Sequence, residues 1–197
     1  MANSIKFDRA EVISKAQQLF WQRGFNGTSM RDLLDAVNLR PGSLYASFGD
    51  KESVYHEALL HYAEKGQQAF ASAQAQHQSA LETLKQFVRS QVLGSQHEPS
   101  QVCMLVKTVA ELSAEGSALA ELAKTLLQNI EFAFKTLLEQ AVAEGAALSA
   151  PPERLSRTLQ AQIIGLKTYA QLKPEPAVLE AMVDDILAGI EKPPAVK

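Results

Sequence analysis

The apolar positions of the first fifty residues recur at helical spacing and are interrupted at short intervals. Val12, Ile13, Ala16, Leu19 and Phe20 mark one face of a helix over 8–23, with Asp8 as its cap and Glu11 three residues on, as in a capping box. Gly24 stops that helix and Phe25-Asn26-Gly27 makes a turn, so the formal glycosylation sequon Asn26-Gly27-Thr28 reads as a turn only. Thr28 caps a short second helix whose inner side is Met30, Leu33, Leu34 and Val37. Asn38-Leu39 breaks it, and Pro41 suits the first turn of a third helix from Arg40 to about Ser47. Gly49-Asp50 breaks again, and Asp50 caps a long fourth helix reaching about Gln76.

The same period continues to the C-terminus. Leu81, Leu84, Phe87 and Val88 mark a helix over 79–93, and a loop through Pro99 leads to another from about Val102 to Leu112. Leu119, Leu122, Leu126, Ile130, Phe134, Leu137 and Leu138 define a long helix from Ser117 to Gly145. Pro151-Pro152 opens the next, ending near Lys173, and Pro174 and Pro176 separate it from the last, Ala177–Ile190. No segment alternates with a β period and no internal repeat is visible, so the expected class is all-α.

Composition narrows the setting. With 46% hydrophobic and 21% charged residues, the chain has the make-up of a globular protein. The N-terminus lacks the apolar centre of a secretory signal, no apolar run approaches the length of a membrane span, and Cys103 is the only cysteine; the expectation is a soluble cytoplasmic protein with no membrane partner. Net charge is −3, but residues 1–55 hold seven basic and six acidic side chains, so the head is near neutral and the acid lies in the body. Such a head is compatible with DNA, and the acidic remainder limits unspecific adhesion. Enzyme chemistry finds no support: there is no Ser-His-Asp spacing, no glycine-rich phosphate loop and no HExxH. His56, His61, His77 and His97 are the candidate metal ligands, but His56 and His61 stand five apart on poorly aligned faces, and neither metal nor cofactor is expected.

The second and third helices with their tight connection have the dimensions of a helix-turn-helix, in which the second helix enters the major groove. The run Gly24-Phe25-Asn26-Gly27-Thr28-Ser29-Met30-Arg31-Asp32-Leu33-Leu34, followed by Leu39-Arg40-Pro41-Gly42-Ser43-Leu44-Tyr45-Ala46-Ser47-Phe48-Gly49-Asp50-Lys51-Glu52, resembles the DNA-binding domain of TetR-family transcriptional regulators over residues 8–55. The resemblance implies a three-helix DNA-binding head at 1–52 and a larger helical ligand-binding and dimerisation domain at 53–197. Pro41 and Gly42 leave room for backbone to approach the duplex, and Arg40 and Ser43 reach base edges or phosphates. In the family the residues matching Tyr45 and Lys51 hold phosphates, and Thr28 and Ser29 at a helix start offer further donors. The bland alternative makes Tyr45 and Phe48 core and Thr28 a cap. Ala46 departs from the aromatic or His common in the family at that point.

For the body, the resemblance implies a homodimer through the last two helices, here Leu159, Ile163 and Leu166 beside Leu155 and Ala170, with Met182 and Ile186 beside Val178 and Gly189. The alternative is that these stripes face their own core. An effector pocket is expected among the middle helices, lined by Tyr62, Phe70, Phe87, Cys103, Met104, Phe132, Phe134 and Tyr169, with Lys107, Glu111 and Gln162 as polar contacts. That lining suits a small apolar or aromatic molecule releasing a palindromic double-stranded operator. Cys103 near a helix start, with Lys107 one turn on, suggests a second possibility, a thiol sensing electrophiles or oxidants; a buried, inert cysteine is the plain alternative. A non-inducible architectural DNA binder is the third, favoured by a solid body rather than a pocketed one.

Overall fold

Nine α-helices follow one another among the residues described by the computed structural model, 7–76, 79–94 and 98–192: α1 Arg9–Arg23, α2 Met30–Val37, α3 Pro41–Phe48, α4 Lys51–Gln76, α5 Ala80–Leu93, α6 Met104–Leu112, α7 Ala118–Ala143, α8 Pro152–Tyr169 and α9 Pro176–Ala188. Short 3₁₀ turns follow α6 and α8. The strand-like feature among these residues is a single antiparallel bridge, Leu148 to Glu191. The all-α expectation holds. His77 and His97 lie outside the described residues.

The local signals act as physical stops. Asp8 caps α1 through its carboxylate, which accepts from the amides of Ala10 and Glu11, while Glu11 pairs with Lys15 rather than closing a capping box. Gly24 takes φ +81°, open to glycine at little cost, and ends α1. The cap of α2 is Ser29, not Thr28: Ser29 and Asp32 exchange bonds as a full capping box. Asn38 turns left-handed at φ 54° to end α2, and Asp50 accepts from the Ser53 amide at 2.8 Å to start α4.

The chain divides into two compact units, one of residues 1–65 with 104–124 and one of 66–103 with 125–197. The first thus recruits α6 and the start of α7 beyond the short head expected from the helix-turn-helix. Its core includes Phe20, Leu33, Leu44, Tyr55, Leu59, Met104 and Leu105, all but inaccessible to solvent. The Tyr55 ring lies edge-on to Phe20 and Phe25, at 4.7 and 5.1 Å, and its hydroxyl shares a 2.7 Å hydrogen bond with Thr108 of α6. Burial pushes the Tyr55 phenol up to about 12.

The second unit is built on α5, α8 and α9, which pack on one another, with α7 closing the core through Phe134, Leu137 and Leu138. Among the described residues no helix is long and apolar enough to cross a membrane.

Candidate nucleic-acid interface

The connection between α2 and α3 is three residues, Asn38-Leu39-Arg40, and it sets α3 directly. Arg40 is extended at the N-cap, its carbonyl accepts from Ser43 and Leu44, and Pro41 opens the helix at a position that needs no donor. Leu44 and Phe48 anchor α3 from beneath. The opposite face is bare: Arg40, Pro41, Gly42, Tyr45 and Ala46 are exposed and Ser43 half-buried. Tyr45 is 51% exposed, so it is not a core aromatic. A Cβ added to Gly42 would meet nothing within 4 Å, and so the fold of the chain itself makes no demand for glycine there.

The turn before α2 is held by side chains. Glu111 of α6 accepts from the amides of Phe25 and Asn26, at 3.0 and 2.6 Å. Lys51 at the start of α4 donates to the carbonyls of Phe25 and Thr28, both at 3.0 Å, with its ammonium 4.0 Å from the Phe25 ring centre. Two of its three N–H groups are therefore engaged inside the head, which changes the expectation of a lysine free for phosphate. Thr28 is corrected more strongly: it is fully buried and its hydroxyl donates to the Gly24 carbonyl at 2.7 Å, out of reach of DNA. The Ser29 hydroxyl is exposed but engaged with Asp32, and this bond with the Ser29 amide's holds the Asp32 carboxyl below the ordinary aspartate range.

The cations of the head sort in the same way. Arg9 donates to the Ser47 carbonyl at the end of α3, pairs with Glu57 and lies over the Phe48 ring at 4.2 Å. Lys15 pairs with Glu11 and Arg23 with Asp32. Arg31 and Arg40 are exposed and have no ion-pair partner among the described residues. Sequence reasoning overlooked Arg31; its place on the polar face of α2, two residues past the cap, was the available signal.

The residues expected around an effector are divided. Tyr62, Met104 and Lys107 belong to the first unit, and Phe87, Cys103, Phe132 and Tyr169 to the second. Tyr62 stacks edge-on with Trp21 at 5.0 Å, and Met104 is fully buried. Phe87 packs against Phe70 and Phe134, at 5.0 and 6.1 Å between centres, as ordinary aromatic core. Phe132 is 68% exposed on the outer face of α7, which removes it from any internal lining, and Tyr169 is also exposed. Lys107 donates to the carbonyls of Trp21 and Gln22, at 2.7 and 3.1 Å, and burial lowers its pKa while Glu111 opposes the shift. It is not available to activate Cys103. Lys167 of α8 is buried; burial lowers its pKa, and Cys103 and Glu98 act against that. Cys103 is half-buried and immediately precedes α6. A small cleft between α8 and α9, about 100 Å³, is lined by Leu155, Thr158, Gln162, Ile186 and Gly189 among others.

The dimer stripe is corrected in part. Leu159 and Leu166 are buried in their own unit, and Ile163, Met182 and Ile186 are partly buried against the same core. The exposed side of α8 carries Thr158, Ala161, Gly165 and Thr168 instead.

A bare helix face on a tight helix-turn-helix defines a DNA-binding regulator. The profile described as "Bacterial regulatory proteins, tetR family" matches residues 12–58. The HTH-type transcriptional repressor ComR of Escherichia coli is 39% identical over 59 residues, 30% of this chain and 28% of ComR, so that match is confined to the head. An uncharacterised HTH-type transcriptional regulator of Bacillus subtilis, YezE, is 24% identical over 194 residues, 97% of this chain and all of that one. A cysteine mutant of the TetR family transcriptional regulator CifR, complexed with 26-bp double-strand operator DNA, superposes with a TM-score of 0.84 at 26% identity, covering 96% of this chain and 100% of the other. Residues 12–58 thus match the DNA-binding segment of the TetR family, and the whole chain shares the fold of a TetR-family regulator.

The two kinds of cation should separate experimentally. Lys51→Met leaves two carbonyls without their donor and should lower unfolding free energy by about 1–3 kcal/mol, whereas Arg31→Ala should change it by less than about 0.5 kcal/mol. Urea unfolding followed by circular dichroism measures both; equal stability of the two variants refutes the anchoring role.

Proposed function

We propose that this protein is a homodimeric, ligand-responsive transcriptional repressor that holds a near-palindromic operator and releases it when a small apolar or aromatic effector binds the body. The observation that carries the DNA half is the bare face of α3, with Arg40 unpaired, Tyr45 exposed and nothing near Gly42. Arg40, Pro41, Gly42, Ser43 and Tyr45 face the duplex, Arg31 adds a contact from α2, and Lys51 offers at most its remaining N–H. The description of ComR as a repressor and the operator complex of CifR support the same reading. One eight-residue reading helix spans few base pairs, which favours two copies on one site. DNA binding is tested by footprinting the sequence flanking its own gene. Arg40→Ala should weaken that site by about 1–3 kcal/mol if it reads a base, and Arg31→Ala should reduce the salt slope by about one unit. Unchanged operator affinity in Arg40→Ala would mean that α3 is not the reading helix.

The partner copy sits on the exposed faces of α8 and α9, where Ala161 and Gly165 permit close approach of helices. A Cβ at Gly165 meets nothing within 4 Å, so Gly165→Arg leaves the protomer folded and blocks the partner. The expected result is a helical monomer by light scattering with weak operator affinity; a stable dimer refutes this face.

A second reading concerns the trigger. Cys103, the chain's one cysteine, is half-buried immediately before α6, and a thiol there can add to electrophiles. Adduct formation with a quinone joins sulfur to a ring carbon, and the thiol proton and that carbon's hydrogen end on the two oxygens of the resulting hydroquinone, so nothing leaves. Quinone should then release operator DNA from the wild type and not from Cys103→Ser. Equal release from both leaves the reversible effector as the trigger.

A further inference from the structure

α6 carries three polar side chains, Lys107, Thr108 and Glu111, within two turns, and each is committed to a residue of the N-terminal head. Glu111 lies on the amide side of the turn after α1, where the successive N–H groups of Phe25 and Asn26 converge on its carboxylate as on a small anion. Lys107 lies on the carbonyl side, its ammonium bridging Trp21 and Gln22 at the end of α1, where helix carbonyls lack partners and the dipole is negative. Thr108 takes the Tyr55 hydroxyl between them. The acid and the ammonium each meet the backbone charge of opposite sign.

Gly24 shows how closely the fit is made. Its φ of +81° already favours glycine, and an added Cβ would stand 2.7 Å from Oε2 of Glu111. The residue that ends α1 therefore also leaves room for a carboxylate 87 positions away in the chain. The grip falls at the point from which α2 and α3 leave α1, and neither Lys107 nor Glu111 is on the bare face of α3.

We infer that Lys107 and Glu111 are positioning residues for DNA reading: α6 holds the α1–α2 turn by its own peptide groups and so fixes the pose of the helix-turn-helix. The inference rests on the DNA-binding reading for its affinity measurement, and its structural half is independent of it.

The test uses the full-length chain with Glu111→Gln, Glu111→Ala and Lys107→Met. Amide exchange at Phe25 and Asn26 should accelerate in both Glu111 variants. Affinity for the footprinted operator should fall about tenfold or more, the scale of losing charge-assisted hydrogen bonds. Affinity for random duplex and the salt slope should stay as in wild type, because no phosphate contact is removed. Acetate, at constant ionic strength, should restore operator affinity in Glu111→Ala by entering the vacated amide site. Unchanged exchange at Phe25 and Asn26 overturns the inference, as does an equal loss on operator and random duplex. Wild-type protein that prefers no operator counts against the repressor reading instead, and the exchange measurement still decides the grip.

Discussion

The first unit depends on how the peptide groups of one turn are satisfied. Residues 24–28 leave α1 too abruptly to pair their own backbone groups along a helix, and unpaired peptide groups out of solvent are costly. Here the missing partners come from three directions. Glu111 takes amides, Lys51 takes carbonyls, and the Thr28 hydroxyl returns to Gly24. Apolar packing of Phe20, Tyr55 and Phe25 holds these polar groups in register. Tertiary side chains thus supply what local secondary structure cannot.

That arrangement explains why so few cations of the head remain free. Among the described residues, Arg9, Lys15, Arg23 and Lys51 bind carboxylates or carbonyls, and Arg31 and Arg40 face solvent without an ion pair. A surface with two unengaged arginines and a net negative chain attracts DNA weakly at long range. In the proposed function, discrimination comes from shape and from the few groups on α3, with little help from bulk electrostatics.

Local signals were legible and distant ones were not. Gly24, Asn38, Pro41 and Asp50 marked breaks within a residue or two because their conformational preferences act within a turn of chain. The α2 cap slipped by one position between two adjacent hydroxyl residues, although Ser29 with Asp32 three residues on was the stronger pattern. Glu111 and Lys107 read as polar contacts of an effector pocket, because the backbone groups they hold lie more than eighty residues away. The stripe of Leu159 and Leu166 signalled burial without saying in what; they face their own core, whereas the exposed positions of α8 are polar or small residues such as Arg157, Thr158, Ala161 and Gly165, which carry no apolar signal. Cys103 was seen, but its neighbour Lys167 is distant in sequence.

The chain crosses between the two compact units three times, inside α4, between Cys103 and Met104 at the start of α6, and inside α7, with α4 and α7 each of 26 residues. The first and last crossings lie within helices, and so the head is not a cassette that can be cut out after the helix-turn-helix. A fragment ending there would leave behind the buried side chains of α6, the Glu111 carboxylate and the partner of the Tyr55 hydroxyl. Grafting this reading head onto another sensor body requires a discontinuous transplant in which residues of α6 and early α7 travel with the N-terminal segment. Operator preference and the α6 sequence are therefore expected to diverge together among relatives of this chain, as a single heritable block written in two separated pieces.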